Sequence, residues 1–149
     1  MRPSISRAHR ATSLLGALVF FGAAAPCGAH ESPVAVGEVR DESASGAFCE
    51  ALRSVLTDAM ATAELGRPRE RFILSATLVR LDAERVGRGA RATALVSLVL
   101  RRAREQSLHA VLNGHATAEE ETGSVNETRA DALRAAVTSA LRRLPEAVR

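Results

Sequence analysis

Three segments in the middle of the chain, RFILSATLVRL (71–81), ARATALVSLVLR (90–101) and SLHAVLNGHATAE (107–119), set large apolar residues against smaller or polar ones with a period of two. Successive side chains of a strand point to opposite faces, so this alternation commits each segment to one buried face. One antiparallel register serves all three. It sets Phe72 opposite Leu100, Leu74 opposite Leu98, Ala76 opposite Val96 and Leu78 opposite Ala94; the next pair of strands then sets Leu100 opposite Leu108, Leu98 opposite Ala110 and Val96 opposite Leu112. All these partners lie on one side of the sheet. A charged turn through Gly87 and Gly89 and a basic turn, RRARE, connect the three segments as a meander.

Helical patterns flank the strands. From Gly46 to Leu65, Phe48, Leu52, Val55, Leu56, Ala59 and Met60 recur at helical spacing, and Gly66 followed by Pro68 supplies the stop. After the acidic run Glu119 to Glu121, Ser124 and Glu127 form a capping box. The stripe Ala130, Leu133, Val137, Ala140, Leu141 and Leu144 follows, and Pro145 ends it. A helix of that length spans about 30 Å, enough to cross three strands diagonally. The expected fold is α+β: a three-stranded antiparallel meander with one helix before and one after, both packed on the Phe72, Leu98 and Leu112 face. Residues 30–45, with a short apolar beat at Val34, Val36 and Val39, read as a flexible leader or an edge strand, and 46–149 as a single domain.

The other sheet face is less polar than a solvated face normally is. Ile73, Val79, Leu95, Val99 and Val111 stand there among Ser75, Thr77, Thr93, Ser97 and Asn113. This surplus marks the five apolar residues as an interaction face, to be covered by the N-terminal segment or by another protein.

The N-terminus sets the compartment. MRPSISRAHR carries Arg2, Arg7 and Arg10 without an acid, and ATSLLGALVFFGAAA carries no charge. That is the arrangement of a secretory signal peptide over residues 1–29, with cleavage after Ala29 and delivery to the periplasm or the exterior. The apolar run is too short for a spanning helix, so no stable membrane insertion is expected after cleavage. Lipidation at Cys27 is the weaker alternative, because Pro26 is a poor fit to the small residue wanted there. Cleavage also removes Cys27, leaving Cys49 as the one thiol. The 20 basic residues are all arginine, and removing the three of the leader balances the rest against 17 acids. With no net charge, no Tyr and no Trp, nucleic acid is not an expected partner.

Chemistry-bearing motifs are sparse. No nucleophile elbow or triad spacing is visible, and Gly87 and Gly89 precede a strand rather than the helix that a phosphate loop requires. His109 and His115 are six residues apart on one face of one strand. Their backbones would then be roughly 20 Å apart, too far to share a metal. Either could instead join His30, whose ring and free α-amino group after cleavage would chelate together. This resembles the histidine brace of periplasmic copper carriers and copper-dependent oxidases. The candidate metal ligands are thus His30, His109 and His115, though not all three together.

Arg80, Arg85, Arg88 and Arg91 crowd one end of the first hairpin, and Arg101, Arg102 and Arg104 the other end of the second strand. Interspersed acids make these solvated turns that discourage edge pairing. No catalytic residue and no cofactor follow from the sequence. The leading expectation is an exported accessory domain without catalysis that binds an envelope protein. The pattern is compatible with a homo-oligomer, and copper binding through the N-terminal histidine is the alternative.

Overall fold

The computed structural model describes residues 32–66 and 68–149. The leader, Cys27, the cleavage point and His30 lie outside the described residues. In chain order the elements are β1 (Val34–Asp41), α1 (Cys49–Thr62), β2 (Phe72–Val86), β3 (Gly89–Arg102), β4 (Leu108–Glu120), α2 (Val125–Leu141) and a short α3 (Leu144–Ala147).

The sheet has four strands of mixed direction, which corrects the expectation of a three-stranded antiparallel meander. In the order β1-β2-β3-β4, β1 runs parallel to β2, while β2, β3 and β4 are antiparallel neighbours. Parallel neighbours need a crossover, and α1 provides it. The signal for β1 is weak because its period breaks. Val34 and Val39 are both buried, five positions apart, and the register shifts between Val36 and Val39. Gly37 sits in that irregularity, where an added Cβ would lie 2.6 Å from Cγ2 of Ile73.

The meander itself keeps the expected faces but slips by two residues. Phe72 faces Arg102, Leu74 faces Leu100 and Ala76 faces Leu98; across the next pair, Leu98 faces Leu112 and Leu100 faces Ala110. A slip of two leaves every side chain on its own face, so alternation alone cannot detect it. Turn geometry decides instead. Val86 pairs with Gly89 around a two-residue turn in which Gly87 takes φ 62°, and a bulge between Leu78 and Arg80 absorbs Val79.

One sheet face carries the core. Leu74, Leu78, Val96, Leu98 and Leu100 are fully buried there, against Leu52 and Leu56 of α1, Leu133 and Val137 of α2, and Leu144 of α3. The capping box of α2 forms as the sequence indicates: the Ser124 hydroxyl accepts from the Glu127 N–H at 3.2 Å, and Glu127 reaches back to the Ser124 N–H at 3.3 Å. Ala130, counted in the apolar stripe, is exposed; the buried small residues are Ala132, Ala136 and Ala140. These set α2 directly on β4. A Cβ on Gly114 would lie 1.9 Å from the Ala136 carbonyl oxygen, so the helix and strand backbones touch.

Nothing in the Phe48 side chain caps α1. Asp41, at the end of β1, holds that helix entry: its carboxylate accepts from the Ser43 N–H at 2.9 Å and from the Phe48 N–H at 2.7 Å. Partial burial works to raise the Asp41 pKa, but the hydrogen bonds from Ser43 and Phe48 outweigh it and hold the carboxyl below its ordinary range.

Two outcomes follow from these contacts. Gly114→Val forces a side chain into the α2 backbone and should cost about 3 kcal/mol, the upper part of the overpacking range, read by urea denaturation. Asp41→Ala should cost about 1–2 kcal/mol at neutral pH. A depressed carboxyl contributes its stability above the unfolded pKa and loses it as pH falls through the folded value. The gap between Asp41→Ala and the parent protein should therefore close in acid, below the ordinary carboxyl value of 3.8.

Candidate interaction face

Among the described residues the three helices pack on the core side of the sheet, and none lies over the second face of the meander. The open face is built by alternation. β2 contributes Ile73, Ser75 and Thr77; β3 contributes Thr93, Leu95, Ser97 and Val99; β4 contributes Val111, Asn113, His115 and Thr117. Cross-strand pairing then groups them, with Val99 opposite Val111, Leu95 opposite His115 and Ser97 flanked by Thr77 and Asn113. Ile73, Leu95 and Val99 are half-buried by their neighbours, while Val111 is 50% exposed and Val79 41%. The bulge makes Val79 an extra residue, and Arg80 takes its place opposite Leu95.

Polar groups frame this patch. The Thr93 and Thr117 hydroxyls lie 3.2 Å apart, and beyond them Arg91 meets Glu119 at 3.0 Å. Arg80 pairs with Asp82. At the opposite end Glu38 and Arg40 pair at 2.7 Å, and the Arg40 hydrogen bond holds the Glu38 carboxyl below its ordinary range. A shallow cleft of about 440 Å³ opens there between Arg40, Ile73, Thr77, Val99 and Arg101. These exposed pairs set register and solubility rather than stability.

The two strand histidines part company. Alternation puts both on the open face, but the register shifts between Leu100 and Arg101: Ala110 faces Leu100 and Leu108 faces Arg101, leaving His109 as the extra residue. Its ring turns to the helical side, 4.9 Å from the Phe72 ring, and Nε2 lies 2.7 Å from the Ala147 carbonyl oxygen of α3. A carbonyl only accepts, so Nε2 carries the proton. The same irregularity leaves Leu108 62% exposed. His115 stays exposed on the open face. Among the described residues no group of three or more His, Cys, Asp or Glu converges in a way that could hold a metal.

Cys49 is half-buried and donates to the Val39 carbonyl at 3.1 Å. Of the acidic run, Glu119 pairs with Arg91 and Glu120 accepts from buried Thr128 at 3.5 Å, so these carboxylates are aimed at different partners. The burial of Thr128 is invisible in the sequence, since its hydroxyl is satisfied locally by the Ser124 carbonyl at 3.1 Å. Among the described residues no helix is long and apolar enough to cross a membrane.

No family model matches the chain. No curated protein sequence matches it either. Solved structures do match in fold. PelC from Paraburkholderia phytofirmans, crystallised as a dodecamer, is similar at TM-score 0.59 and 12% identity, over 78% of this chain and 87% of that one. A protein from Xanthomonas campestris is similar at TM-score 0.56 and 12% identity, over 76% and 84%. At such identities the likeness is one of fold.

Since His109 ties α3 to the sheet, His109→Ala should cost about 1–2 kcal/mol from the lost hydrogen bond and ring contact. Amide exchange at Ala147 and Val148 should accelerate more than exchange in β3.

Proposed function

We propose that this chain is an exported, non-catalytic domain of the bacterial envelope that binds another envelope protein through its open sheet face. The carrying observation is the asymmetry of the sheet: one face is covered by three helices, while the other leaves Val79 and Val111 exposed beside half-buried Ile73, Leu95 and Val99. Exposed apolar side chains on an open sheet face, rimmed by charge, are a feature of contact sites. The signal-peptide pattern of residues 1–29 supports export. The fold of PelC, which assembles as a dodecamer, supports a role in which such a domain meets other protein surfaces rather than a small substrate.

Leu95 lies at the middle of the face and is already half-exposed, so Leu95→Glu places its carboxylate in reach of water. The fold should lose no more than about 1 kcal/mol. Capture of the partner from an envelope extract should fall about tenfold or more. Undiminished capture by the folded variant would sink the proposal.

A further inference from the structure

The two outer strands of the sheet are built differently. β1 is short, its register shifts between Val36 and Val39, and the charged pair Glu38 and Arg40 stands exposed on it. Irregularity and charge are the ordinary means by which an outer strand is kept from pairing with another chain. β4 lacks both over most of its length. Its ladder with β3 is regular from Ala110, opposite Leu100, to Glu120, opposite Ala90. From Gln106 to Ala118 the sequence holds no Asp, Glu, Lys, Arg or Pro. Two large apolar side chains, Leu108 and Val111, stand exposed on it. Pairing with β3 occupies one row of β4 backbone groups and leaves the other row pointing outward. Among the described residues, no backbone hydrogen bond outside the strand ladders reaches β4. This edge is therefore a template for one more strand.

The charges at its two ends select that strand. Arg104, in the turn before β4, and Glu121, just after it, are exposed and make no ion pair among the described residues. Arg104 lies eight residues before Leu112, and Glu121 eight residues after Asn113. A strand with opposite charges equally far from its middle is complementary to a second copy of itself run antiparallel, where each Arg104 comes to a Glu121. A parallel copy would set like charges together. The antiparallel arrangement has a two-fold axis, so it closes at two copies.

Helix α2 leaves room for it. Arg134, Thr138 and Arg142 line the groove against α1, while Ala136 and Ala140 sit on Gly114 of β4. Ala135 and Ser139 fall between these two rows, on the outer flank of the helix above the free edge. Side chains this small let the α2 of a second copy approach.

We propose that β4 pairs antiparallel with β4 of a second copy about a two-fold axis near Leu112 and Asn113, joining two four-stranded sheets into one of eight strands. Both open faces then lie on the same side of the joined sheet. The contact belongs to the sheet edge and does not rest on the partner proposed for the open face.

Sedimentation equilibrium of the purified protein should show monomer and dimer in exchange. Asn113→Lys, at an exposed position, sets like charges together near the axis and should raise the dissociation constant about tenfold. Asn113→Glu should do the same, and an equimolar mixture of the two variants should recover the dimer as a heterodimer. Arg104→Glu should weaken association more mildly, and adding Glu121→Arg to it should restore the parent value. Ala35→Lys, exposed on β1, and Leu95→Glu, on the open face, should leave the constant unchanged. A protein that stays monomeric up to about 100 µM would overturn the proposal. So would a mixture no more dimeric than its components, or an equal loss from Ala35→Lys or Leu95→Glu, which would move the contact to the other edge or to the open face.

Discussion

The architecture hangs on a backbone contact: α2 lies against β4 at Gly114, with no side chain between the strand and the Ala136 carbonyl. Large residues in that layer would hold helix and sheet at their usual separation. Here Gly114 meets Ala136 and Ala140, and the neighbouring buried positions on β3 include Ala92 and Ala94. Leu133, Val137 and Leu141 share one buried cluster with the leucines of β2 and β3. Packing at interior density tolerates little adjustment, so small residues at this seam are as necessary as the large ones around it.

A sheet covered so thoroughly on one side has consequences for the other. Helices are the chain's means of covering a sheet, and the three among the described residues are committed to the Leu98 face. The open face compensates partly through the Thr93 and Thr117 hydroxyls, which pair across strands, and partly through ion pairs at its ends. The apolar residues between remain. Both ends of the strands carry arginine and acid together, with acids in slight excess at the end where α2 starts. The excess of acids beside the N-terminus of α2 is electrostatically sound, since that end of a helix is partially positive.

Much of this was legible in the residues, and what was not has identifiable causes. Period-two alternation found β2, β3 and β4 and the face each buries, and a Ser and a Glu three apart found the start of α2. β1 escaped the three-stranded expectation because Gly37 and Glu38 interrupt its alternation and because its partner, β2, begins 38 residues beyond its own first residue. The two-residue slip of the meander escaped because it changes no face. His109 was assigned to the open side because a bulge reverses the faces of what precedes it, and nothing in SLHAVLN announces one. The cleft lined by residues 69–71 and 102–105 joins two segments some thirty residues apart, a proximity that the β2–β3 pairing creates.

The parallel placement of β1 imposes an order on the chain's assembly. The β2–β3–β4 meander closes through short turns, while β1 must wait for the longer loop through α1 to close before its pairing with β2 is rewarded. The first strand to emerge from a ribosome or a translocation pore is thus the last to find its place. Until it does, the edge of β2 presents unpaired backbone groups. Gly37 and the irregularity around it shorten the regular run that β1 can offer to a wrong neighbour, so the feature that hides this strand in the sequence also restrains it from pairing too early.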